Sequence, residues 1–73
     1  GKEYSIFEIE IPNEWDGKTV SAIDIRGRFG INIMAIRRDG RLDINITPDM
    51  VLTAGCHMLV LGSNKNIEKC FHI

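Results

Sequence analysis

Apolar and polar positions alternate across residues 4–11, with Phe7, Ile9 and Ile11 on one face and Ile6, Glu8 and Glu10 on the other. A period of two predicts a half-buried antiparallel strand whose second face carries glutamates. Pro12 and Asn13 end it. Trp15 follows as a packing anchor over the core, and Asp16-Gly17 turns the chain. The pattern then switches to helical spacing. Val20 and Ile23, three apart, form the inner side of one short turn; Ile25 and Phe29, four apart, form that of a second, leaving Arg26 and Arg28 outward. Asp24 is placed to cap the second turn through its carboxylate, and Gly30 to stop it in a left-handed conformation.

Residues 31–38 read as the next strand, with Ile31, Ile33 and Ala35 on one face and Asn32, Met34 and Ile36 on the other. Both faces are largely apolar, so the strand is central or is covered on one side by another subunit. Asn32 interrupts that apolar span; if buried it needs partners, so it is tied to backbone or directed at a ligand. Asp39-Gly40 predicts a two-residue hairpin turn, and the return strand runs over 41–46 until Pro48-Asp49. Met50, Val51 and Leu52 pack on the core as a short extended segment closed by Gly55. Residues 57–61 fit a buried strand, and Ser63 or Asn64 caps a final helix with Ile67, Cys70 and Phe71 inward. The expected architecture is α+β, a small sheet of about four strands with two short helical segments in the order β-α-β-β-β-α.

Composition narrows the function classes. A chain of 73 residues makes one small domain and buries only about 60% of its unfolded surface, so a dimer interface or a parent protein is expected to add stability. Its net charge of −1 argues against a general nucleic-acid binder. No apolar run approaches the ~18 residues of a membrane span, and the start has no signal-peptide pattern. Cys56 and Cys70 read as reduced core thiols of a cytosolic protein, and His57 and His72 share no metal-type spacing with them. There is no nucleophile elbow, Walker loop or paired-carboxylate signature, so nothing reads as an enzyme. Charge is uneven, however. Glu3, Glu8, Glu10, Glu14 and Asp16 make the first sixteen residues acidic, with Lys2 the only base there. Arg26, Arg28, Arg37, Arg38 and Arg41 all fall between positions 26 and 41. Two readings stand: two solvated faces of opposite sign, or an arginine-flanked place where an anion sits.

Together these pieces carry a resemblance. An acidic strand precedes Trp15-Asp16-Gly17-Lys18; IDIRGRFGINIMAIRRDG follows at 23–40, then Pro48, then TAGCHMLVLGS at 53–63 before the last helix. This string resembles the RCK C-terminal (TrkA-C) family, in its KtrA-type branch of bacterial potassium-uptake regulators, over roughly residues 4–71. The resemblance implies a domain that dimerises through its own surface and binds cyclic di-AMP in the dimer cleft. It implies a pocket of Asp24, Ile25, Arg26, Asn32, Ile33 and Pro48, with Ile23 as a further apolar wall. One Arg26 per subunit then meets one phosphate of the two-fold symmetric ligand, while Asp24 caps the turn and pairs with Arg26. It implies no cofactor besides that ligand, no nucleic-acid partner, and a cytoplasmic position at the inner face of the membrane beside a potassium-transport subunit. The family's Rossmann-like subdomain does not precede this stretch, so 1–73 is expected to be a single excised RCK_C domain with Gly1 a remnant. The family's Gly-Asp before the last strand is Gly55-Cys56 here, which predicts a small local change. The alternative is a dimerisation or assembly module of a ring or transporter that binds no small molecule.

Overall fold

The opening alternation becomes β1 (Tyr4–Glu10), which pairs along its whole length with β4 (His57–Ser63) in the computed structural model, which describes residues 3–73. Lys2 and Gly1 lie outside the described residues. After β1 come a 3-10 turn at Asn13–Trp15, helices α1 (Val20–Ile23) and α2 (Ile25–Phe29), strands β2 (Asn32–Arg38) and β3 (Arg41–Asp43), then β4 and helix α3 (Asn64–Phe71). The four strands form one antiparallel sheet in the order β1-β4-β2-β3. This is the expected α+β order, with the first helical segment split in two.

One sheet face builds the core. Phe7, Val60 and Ile33 form one row across it, and Ile9, Met58 and Ile36 the next. Ile11, Ile23, Ile25, Ile31, Leu52 and Ile67 complete the buried cluster. Burying a side chain of this size contributes about 1.5–3 kcal/mol relative to exposure, so this cluster holds the helices on the sheet. Ser63 caps α3 by accepting from Asn66 N at 3.1 Å. Ile67 of that helix is fully buried, with Cys70 and Phe71 packed beside it. Trp15 anchors this side as expected, its ring 5.6 Å from that of Phe71.

Three expectations are corrected. The alternation predicted for 31–38 breaks at a bulge between Ile33 and Ala35, where Met34 is the extra residue. Beyond it the faces exchange: Ile36 joins Ile33 in the core, and Ala35 pairs with Leu59 on the opposite face. The return strand stops at Asp43 instead of running to residue 46. The Asp43 carboxylate accepts from Asn45 N at 2.9 Å, a local turn that competes with the ladder and leaves Ile44 70% exposed. Finally, β4 continues past Leu61, because Gly62 and Ser63 still pair with Ser5 and Tyr4.

Candidate functional site

The α1–α2 joint is set by one residue. Asp24 adopts φ 52°, ψ 46°, a left-handed conformation in which its N–H closes α1 on Val20 O. Its side chain opens α2 by accepting from Gly27 N at 3.3 Å. Short polar side chains tolerate this conformation because they bond locally. Gly30, at φ 66°, ends α2 by donating to Arg26 O at 2.8 Å, and the chain turns directly into β2. From the other side, the segment after β3 is strapped to α1. Ser21 N donates to Pro48 O at 2.9 Å and Val20 N to Met50 O at 3.0 Å, which satisfies two otherwise free N–H groups of the first turn.

Between these parts lies a cavity of about 380 Å³, at the small end of ligand sites. β3 pairs only with the last three residues of β2, so the edge of β2 at Asn32 and Ile33 is left open to it. Val20, Ile25, Ile31, Ile33, Ile46 and Pro48 supply apolar walls; Ser21, Asp24, Arg26, Asn32 and Thr47 supply polar groups. Several of those polar groups are already engaged. Thr47 donates to Asp49 at 2.7 Å, Ser21 lies 3.2 Å from Thr19 Oγ1, and Asp24 holds its cap. Among the described residues, the Arg26 guanidinium and the Asn32 amide have no protein partner. An exposed cation and a half-buried amide thus stand uncommitted over an apolar floor, an arrangement suited to an anion with an apolar body.

Six of the seven residues singled out in the sequence (Asp24, Ile25, Arg26, Asn32, Ile33 and Pro48) line this one cavity. Ile23 does not: it is 4% exposed within the core. The expected Asp24–Arg26 ion pair is absent among the described residues, and Asp24 acts as a cap alone. Sequence reasoning missed Val20, Ser21, Ile31, Ile46 and Thr47. Helical spacing back from Asp24 was the available signal for Val20 and Ser21, whereas Ile46 and Thr47 arrive only because β3 ends early.

The arginine cluster disperses. Arg28 donates to Ile23 O at 3.3 Å and lies 5.2 Å from the Phe29 ring centroid. Arg37 pairs with Glu8 at 3.2 Å, and Arg38 donates to Val51 O at 2.7 Å. Only Arg26 among the five lines the cavity. No group of His, Cys, Asp and Glu side chains among the described residues is placed to hold a metal ion, and no helix there is long and apolar enough to cross a membrane.

Comparison with known proteins matches residues 5–73 to the TrkA-C domain family. Ktr system potassium uptake protein C of Bacillus subtilis (strain 168) is 31% identical over 68 residues, covering 93% of this chain and 31% of that protein. The chain spans about a third or less of the length of the curated relatives it matches. Among solved structures, the regulator of conductance of K+ (RCK) C domain of potassium transport protein KtrA, in complex with cyclic diadenosine monophosphate, superposes with a TM-score of 0.87 at 29% identity. That match covers 93% of this chain and 80% of the other. The RCK_C domain dimer of Streptococcus agalactiae BusR in complex with c-di-AMP shares the fold, with a TM-score of 0.78 at 22% identity over 89% of this chain and 83% of that one.

Proposed function

The chain belongs to the TrkA-C domain family, and from that premise we propose that it is a regulatory domain of a potassium transport system that binds cyclic di-AMP in the cavity beside Asp24. The observation that carries this reading is the convergence of an unpaired Arg26, an unpaired Asn32 and a wall of Ile25, Ile33 and Pro48 on one cleft. The ligand is doubly negative and two-fold symmetric, so two chains present two Arg26 side chains to its two phosphates. The apolar walls take the adenine faces, and Asn32 bonds a base edge or a phosphate oxygen. The solved KtrA domain, bound to this ligand, supports the reading. In it the domain sits in the cytoplasm at the inner face of the membrane, within a longer protein that controls a potassium-transport subunit.

Calorimetric titration of the chain with cyclic di-AMP, cyclic di-GMP and ATP tests it. The expected result is saturable binding of one cyclic di-AMP per two chains. A charge-assisted hydrogen bond contributes about 1.5–3 kcal/mol, so Arg26→Ala, which removes one from each chain, is expected to weaken binding about 100-fold or more. Absence of heat and of any thermal shift at high ligand concentration sinks the proposal and leaves a module of assembly.

A further inference from the structure

Isoleucine, leucine, valine, alanine and methionine side chains fill the buried core, and no aromatic ring is among them. The chain's only tryptophan and two of its three phenylalanines are instead half-buried, and they line one cavity at the end of α3. Trp15, Phe29 and Phe71 border about 240 Å³ there, with the small, polarizable Cys70 side chain beside them. This cavity shares no lining residue with the one beside Asp24. Helix α2 serves both, through Ile25 and Arg26 on the first and Arg28 and Phe29 on the second. Glu14 and Arg28 stand exposed on the second cavity's rim. They carry opposite charge, yet among the described residues no ion pair joins them. Arg28 is held in place by the bond from one N–H to Ile23 O and by the Phe29 ring beneath it, which leaves its other N–H donors free.

We propose that this second cavity binds a free amino acid with an apolar side chain, its carboxylate on Arg28, its ammonium at Glu14 and its side chain against the Trp15 and Phe71 rings. Three features select that class. The first is size. Sites for drug-sized ligands begin at about 300 Å³, so a cavity of about 240 Å³ takes a smaller molecule and excludes a dinucleotide. The second is charge. A simple anion meets the like charge of Glu14 and a simple cation that of Arg28, whereas a dipolar molecule satisfies both with charge-assisted hydrogen bonds. The third is the shape of the apolar wall. The Trp15 and Phe71 planes are inclined at 48° with centroids 5.6 Å apart, so they present a face and an edge to an apolar side chain. The proposal stands apart from the reading of the first cavity and shares no residue with it.

The fluorescence of Trp15, the only tryptophan, reports on this cavity directly. Titration of the 73-residue chain with L-phenylalanine is expected to change that fluorescence saturably, and calorimetry to give one site per chain. Phenylacetate lacks the ammonium, phenethylamine the carboxylate and glycine the apolar side chain. Each is expected to bind about tenfold or more weakly than L-phenylalanine. Glu14→Gln and Arg28→Gln are expected to weaken L-phenylalanine by a similar factor. Arg28→Gln also gives up the bond to Ile23 O, so circular dichroism checks its fold. Glu14→Gln, in an exposed turn, answers the question alone if that variant unfolds. A fluorescence signal and heat that do not saturate with L-phenylalanine overturn the proposal and leave the rings as packing alone. Phenylacetate or phenethylamine binding as tightly as L-phenylalanine overturns it too, as does unchanged affinity in Glu14→Gln.

Discussion

Gly27→Ala sets two effects of similar size against each other at the hinge of the site. A Cβ at position 27 lands 2.5 Å from Asp24 Oδ2, 2.6 Å from Oδ1 and 2.8 Å from Cγ. Real contacts do not close below 3.0 Å, so the movable partner, the Asp24 carboxylate, swings away and gives up its bond to the position-27 N–H. Losing an N-cap costs about 1 kcal/mol. Alanine in place of glycine inside a helix returns up to about 1 kcal/mol. The wild-type background is therefore expected to show almost no change in stability. In Asp24→Gly there is no carboxylate to displace, and glycine accepts the φ of 52°. There Gly27→Ala is expected to stabilise by about 1 kcal/mol. Urea denaturation of all four proteins at constant m gives the coupling, expected at about 1 kcal/mol. Effects that add to within about 0.3–0.5 kcal/mol refute the reasoning. Ligand titration separates the functional consequence, because a carboxylate freed beside Arg26 opposes an anion. Cyclic di-AMP affinity is expected to fall in Gly27→Ala while the unfolding midpoint holds.

Three other perturbations test the packing and the charges. Burial pushes the Cys70 thiol up from 9.0 to about 11, with Arg28 opposing in part. Each unit is tenfold, so iodoacetamide at pH 8 is expected to modify Cys70 about 100-fold more slowly in the native chain than in urea; equal rates refute this. His57 first, then Arg37, hold Glu8 below its usual 4.5. A depressed carboxylate contributes stability above its unfolded value and loses it as pH falls through the folded one. The stability gap between wild type and Glu8→Gln is therefore expected to vanish on acidification and to shrink in high salt; a gap unchanged at pH 3 refutes it. Gly62→Ala puts a Cβ 3.0 Å from Ile31 Cγ1 and 3.5 Å from Ile67 Cγ1. Overpacking there is expected to cost about 1–3 kcal/mol in chemical denaturation, and an unshifted midpoint refutes it.

The features legible in the sequence were those fixed by local chemistry. Asp24, Gly30 and the Asp39-Gly40 turn all adopt the left-handed conformations their residue types favour, so the helix–glycine–strand frame and the hairpin follow from neighbours alone. The bulge at Met34 was hidden because strict alternation over 31–36 fits apolar residues on either face. Burial of Ile36 beside Met58 and Ile9 resolved that choice through contacts distant in sequence. The arginine cluster misled for a related reason: positions adjacent in the chain diverge in space. Arg37 reaches β1, Arg38 reaches Val51 and Arg28 turns back onto α1, which leaves Arg26 alone at the cleft.

The cavity exists because a strand ends early. β3 pairs with Ile36, Arg37 and Arg38 and then departs at Asp43, whose carboxylate holds the Asn45 N–H. Had the ladder continued to residue 46, its backbone would occupy the edge of β2 where Asn32 and Ile33 now face open space. Instead the chain crosses to α1 and is fixed there by Ser21 N on Pro48 O and Val20 N on Met50 O. The bonds that satisfy the first turn of α1 therefore also place the Ile46–Pro48 wall opposite Ile25 and Arg26. Asp43, which lines no part of this cavity, shapes it as much as any residue that does, because a short polar side chain there ends the strand.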